Sequence, residues 1–190
     1  NVKSAIDAGA HAAFFCGNSV DGVLEMLPNA AGAPYRTIGR IGKFAGVDSD
    51  RERAYDKWKQ HGPDPALLMG ARTTSPANGS ADWTCVNEKH WLFEGTGMKN
   101  GDSIKGLVGW EHHGHPASIQ GLEVLARGPV SSHGKPQGTE YTATMFRAPK
   151  GNWVFNAATI WWSDGLSEPP GYMRPRAHGG TPPGPDARVQ

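Results

Sequence analysis

The chain has 190 residues, enough for one large domain with its own core, and 37% of them are hydrophobic. Gly (26) and Pro (15) together exceed a fifth of the chain, which excludes a long-helix bundle and favours short strands with tight turns. A net charge of +1, with 19 basic residues dispersed along the chain, excludes the basic footprint of a nucleic-acid or anionic-membrane binder and leaves a small molecule or a protein as partner.

The first element is short. In "VKSAIDAGA" Val2, Ala5 and Ile6 have helical spacing, and Gly9 is placed to end the helix in a left-handed cap. The first ten residues show no initiator Met and no basic or apolar region of a signal peptide, so Asn1 is expected to be an internal start and the compartment the cytoplasm. No stretch approaches the ~20 apolar residues of a membrane span.

Residues Ala10 to Phe15 read as a strand buried on both faces, as in a parallel sheet covered by helices. Helix, glycine, strand and turn together describe the end of a crossover unit in a doubly wound α/β sheet. After the turn, Val20, Val23, Leu24 and Leu27 fall at i, i+3, i+4 and i+7, which predicts a helix with Ser19 as N-cap and Pro28 as terminator. "DSDRERAYDKWKQHG", residues 48–62, predicts a charged surface helix stopped by Gly62 and Pro63.

Beyond it, "ALLMGA", "DWTCV", "HWLFEGTG", "GLVGWE", "LEVLARG", "EYTATMFRA" and "NWVFNAATIWW" are apolar or alternating runs punctuated by glycine, the pattern of sheet with short connections. The last run is too long for one strand, and a turn at "NAAT" is one way to divide it. From Glu168 the Pro- and Gly-rich sequence reads as an extended arm over 168–190, following a domain over 1–167.

The motifs "HWLFEGTGMKNGD", "GLVGWEHHG", "LEVLARG" and "APKGNWVFNAATIWWSDGL" occur in an order that resembles the C-terminal domain of the N,N-dimethylformamidase large (beta) subunit and its relatives. The resemblance implies part of a glutamine-amidotransferase-like layered sheet with helices on its faces and a strand-rich C-terminal half. It also implies hydrolysis of a small N-substituted formamide at a mononuclear iron. In that family two tyrosines and a glutamate hold the iron, and the tyrosine motifs would precede Asn1. The glutamate is to be sought in the charged helix or in "KQHGPDP". A parallel strand needs neighbours on its edges, so a second polypeptide, or the upstream half of the same precursor, is expected to pack against Ala10 to Phe15 in an oligomer.

Candidate chemistry falls in two places. Cys16 ends the first strand at a turn with Gly17 and Asn18. There a thiolate could act as nucleophile, lowered in pKa by the following helix and a histidine, although a small residue under a tight turn is the plainer reading. Cys16 and Cys85 are expected to be free thiols, because disulfide-stapled folds are usually smaller and richer in cysteine.

The second place is "WEHHGHP", residues 110–116. On a strand Glu111 and His113 share one face, and Gly114 allows a bend that brings His115 to them, giving a metal-ligand set of Glu111, His113 and His115 or an acid–base pair. Trp153, Phe155, Trp161 and Trp162 read as interface anchors. Three functions follow: a subunit of a dimethylformamidase-like amidohydrolase sharing its active site with another chain; a non-catalytic assembly subunit; and a cysteine-dependent hydrolase using Cys16 with His113.

Overall fold

The computed structural model describes residues 1–44, 59–60 and 62–189. The first helix, α1 (Val2–Asp7), closes on Gly9 at φ 109°, which donates to Ile6 O while Ala10 donates to Ala5 O, each at 2.9 Å, so the last carbonyls are satisfied as the sequence predicts. Ile6 is buried against Phe146, Ala148 and Val154.

β1 (Ala12–Phe14) pairs in parallel with β9 (Trp153–Asn156), Ala12 opposite Val154 and Phe14 opposite Asn156. The sheet is completed by β5 (Ala71–Thr84), β6 (Ser103–Pro116), β7 (Glu123–Ser132) and β8 (Lys135–Arg147), in the spatial order β1-β9-β8-β7-β5-β6. Among the described residues β1 is thus an edge strand, and the expectation of an interior strand buried on both faces is corrected. Ala13 is exposed and Phe15 is 49% exposed. The remaining pairings are antiparallel, and an antiparallel sheet does not require helices on both faces.

Accordingly the helices are brief: α1 has six residues, α2 (Ala66–Met69) four and α3 (Trp162–Leu166) five. The fold is mixed α/β and strand-rich, and helical layers of the expected kind are not seen among the described residues. No described helix is long and apolar enough to cross a membrane.

The helix predicted after Ser19 is a strand. β2 (Gly22–Leu27) pairs antiparallel with β3 (Thr37–Lys43), and β4 (Lys59–Gln60) adds a third strand to this second sheet. Two β-branched valines and a glycine weaken any helix here, while Asn29 Oδ1, accepting from the Ala31 and Ala33 amides, makes the turn that returns the chain. Of the helix predicted over 48–62, only residues 59, 60 and 62 are described, and Lys59–Gln60 are strand. "ALLM" is helix and "WLF" (Trp91–Phe93) a 3-10 turn, whereas the four later runs supply β6 to β9.

The large sheet curls. His112 bridges Thr159, and the His113 amide donates to Ala158 O at 3.3 Å, so β6 on the far edge meets the chain just past β9. Trp83, Leu107, Leu125 and Tyr141 fill the enclosed core. Of the four aromatics expected at an interface, Trp161 (2% exposed) and Phe155 (7%) are buried within the chain, and Trp153 and Trp162 pack partly buried against the core. Residues after Glu168 form no helix or strand yet fold back: Val189 enters the core and the Asp186 amide donates to Gly165 O at 2.9 Å.

Gly109 lies against the Trp161 ring, and a Cβ there would overlap ring carbons that have no free side to move into. Gly109→Ala is expected to lower the unfolding free energy by about 1–3 kcal/mol, measured by urea denaturation; an unchanged midpoint would contradict this packing.

Candidate functional site

The turn after β1 is pinned to β6. Gly17 has no room for a side chain, since a Cβ would overlap the Glu111 carbonyl and the His112 amide. Two non-glycine residues of the turn are left-handed, Asn18 at φ 47° and Val20 at φ 60°, and two more stand opposite, Trp110 at φ 56° and Ala158 at φ 61°. Such conformations cost roughly 1–3 kcal/mol each and persist where the surroundings impose them, often at reactive sites.

Strand alternation puts Glu111 and His113 on the side that faces this turn, as the sequence predicts. Asn18 Nδ2 donates to Glu111 Oε1 at 2.8 Å. Ser19 lies over His113, with Oγ 3.2 Å and N 3.5 Å from Nε2. Cys16 Sγ is 3.0 Å from Ser19 Oγ. The serine hydroxyl donates to that sulfur and contacts the imidazole with the same oxygen. Both cysteines are free, as expected.

Behind His113 stands Asn156. Its Oδ1 accepts from the Ala158 amide at 2.9 Å and its Nδ2 donates to Ala71 O at 3.1 Å, which fixes the orientation of the carboxamide. His113 Nδ1 is 3.3 Å from Oδ1. Nδ1 also lies 3.1 Å from Asn156 Nδ2, so which ring nitrogen carries the proton decides which of the two carboxamide atoms it bonds.

His112 and His113 are both fully buried, and burial pushes each ring down to about 4; for His112 the neighbouring His113 adds to the effect. Both are neutral at pH 7. The Cys16 thiol moves the other way, raised by burial and by the Asp21 carboxylate against the opposing Ser19 contact. Asp21 is itself buried and accepts from Thr73 Oγ1 at 2.8 Å. The sequence expectation of a thiol lowered by a following helix is corrected, because the turn leads into β2 and offers no helix terminus.

The metal-ligand set Glu111, His113 and His115 does not assemble. Both ring nitrogens of His113 are engaged, by Ser19 and Asn156, and His115 is exposed near the end of β6, opposite Arg72. Among the described residues no group of three or more His, Cys, Asp or Glu side chains is placed to hold a metal ion. The stretch in which the resemblance places an iron-ligating glutamate lies mostly outside the described residues.

Sequence reasoning missed Ser19, Asn156 and Asp21 as members of this cluster. The one usable signal was Asn156 itself, an amide inside the apolar run "WVFNAAT", since a buried carboxamide is retained only where it is hydrogen-bonded.

Residues 1–176 match the family model described as N,N-dimethylformamidase beta subunit-like, C-terminal. No curated protein matches the chain.

The buried histidines make stability depend on pH. Between about 4 and 6.5 the unfolded chain binds protons that the folded chain refuses, so stability present above pH 6.5 is lost as the pH falls toward 4. The expected loss is up to about 3 kcal/mol for each ring, read from denaturation curves across this range, and His113→Gln should remove its share of the slope. A wild-type stability flat from pH 7 to 4.5 would contradict the burial of neutral rings.

Proposed function

Since the chain belongs to the N,N-dimethylformamidase beta subunit-like, C-terminal family, we propose that it is part of an amidohydrolase that cleaves a small C–N amide bond in an active centre completed by another polypeptide or by an upstream half of its precursor. The observation that carries this reading is the half-buried Glu111 carboxylate, held by Asn18 beside the neutral His113 and the turn that follows β1. In this reading Glu111 takes the proton of the attacking water, Asn18 holds the carboxylate in place, and His113 is an uncharged neighbour able to pass a proton toward the departing amine.

The edge of β1 supports a second polypeptide. Among the described residues β1 pairs with β9 alone, so its outer row of N–H and C=O groups is open to a strand from elsewhere. No step of the reading runs through iron, whose ligands would come from outside the described residues.

Glu111→Gln in the assembled protein is expected to reduce kcat/KM for N,N-dimethylformamide by roughly 10²–10⁴-fold with little change in thermal midpoint. Turnover that survives the substitution, or a wild-type assembly that turns over no small amide, would instead assign the chain to an assembly role that keeps the fold without the chemistry.

A further inference from the structure

Ser19 takes no part in the reading above, yet it has the surroundings of an activated nucleophile. Its Oγ is 3.2 Å from His113 Nε2, and His113 Nδ1 is 3.3 Å from Asn156 Oδ1. Nucleophile, base and orienting group thus stand in hydrogen-bond sequence, and the third is immobilised by two backbone groups.

Two further features favour function over packing alone. Ser19 sits between two left-handed residues, and for Val20, which is β-branched, that conformation is a true outlier. Exposure is also graded: His113 and Asn156 are fully buried, whereas Ser19 is half-buried, so the base is dry and the hydroxyl lies nearer to solvent.

We infer that Ser19 is an acyl-accepting nucleophile, with His113 as its base and Asn156 as a positioning residue, acting on a small carboxylic ester or amide. The Oγ–C bond forms at the acyl carbon as the hydroxyl proton passes to His113 Nε2. The bond to the leaving group breaks as His113 gives that proton to the departing oxygen or nitrogen. Water then cleaves the acyl-serine, one of its protons passing by way of Nε2 to Oγ, so that ester or amide plus water yields acid plus alcohol or amine. Cys16 is one step removed, since its sulfur contacts Ser19 Oγ, accepting from it at 3.0 Å.

The inference does not depend on Glu111. Water activated by a carboxylate leaves no covalent intermediate, whereas a serine route does, and labelling reads the serine without any turnover.

The test treats the full chain, in whatever assembly it purifies, with a fluorophosphonate and in parallel with iodoacetamide, and locates the adducts by peptide mass spectrometry. A phosphonate on Ser19 is expected, formed at least tenfold more slowly in His113→Gln. Wild-type labelling is informative even if that variant does not fold. Asn156→Asp is expected to shift the pH midpoint of the labelling rate upward, because a carboxylate stabilises the imidazolium, and a purely packing role would not move it. The inference is overturned by an unlabelled Ser19 at concentrations that label a control serine hydrolase, by an acetamide on Cys16 with Ser19 untouched, or by an undiminished rate in a folded His113→Gln. An unshifted midpoint removes Asn156 from the assignment.

Discussion

The carboxamide of Asn156, with no exposure to water, joins parts of the chain that the sequence keeps far apart. It sits at the end of β9, donates to the first carbonyl of β5 and reaches the imidazole on β6. Leaving any one of those buried groups unpaired costs about 1–3 kcal/mol, so the amide holds the parallel side of the sheet against the antiparallel side. The barrel-like curl closes at this point, where the His113 and Ala158 backbones also bond.

Given that closure, the position of the turn after β1 follows. β1 is placed by its ladder with β9, and β6 has been brought to the same end of the sheet, so the chain leaving β1 runs directly over Glu111 and His112. Gly17 is the residue that lets the two backbones touch. The left-handed residues on both sides of this contact record how little freedom is left. Two kinds of proton acceptor are then bonded by neighbouring residues of this turn: a partly solvated carboxylate by Asn18 and a dry imidazole by Ser19. Their environments differ enough that each is suited to separate work.

Much of this was legible in the residues. Gly9 had to be left-handed, the run before Cys16 had to pair in parallel, and the alternation of "GLVGWEHH" put Glu111 and His113 on one side of a strand. Three things were hidden. The spacing of Val20, Val23, Leu24 and Leu27 fits a helix, but a short apolar run has no periodicity that separates helix from half-exposed hairpin. Ser19, read as a cap for that absent helix, was assigned to the wrong partner. The burial of Asn156 depends on the curl of six strands, a property of the whole sheet that no local pattern carries. For the same reason the sequence of β1 reads as an interior strand: its apolar composition reflects its contact with β9 and α1, and composition does not state how many neighbours a strand has.

The union of β1 with β9 also bears on how the protein is made. His11 and Trp153, which share a 3.0 Å hydrogen bond where the two strands begin to run together, are separated by 142 positions. A ribosome adding about 5–20 residues per second needs roughly 7–30 s to cover that distance. Throughout that interval β1 lacks its β9 neighbour, and the serine, the carboxylate and the imidazole are not yet held together. Any occupant of that strand's edge during synthesis, whether a chaperone or an early-arriving companion chain, would hold the nascent polypeptide at the stage just before its reactive groups meet.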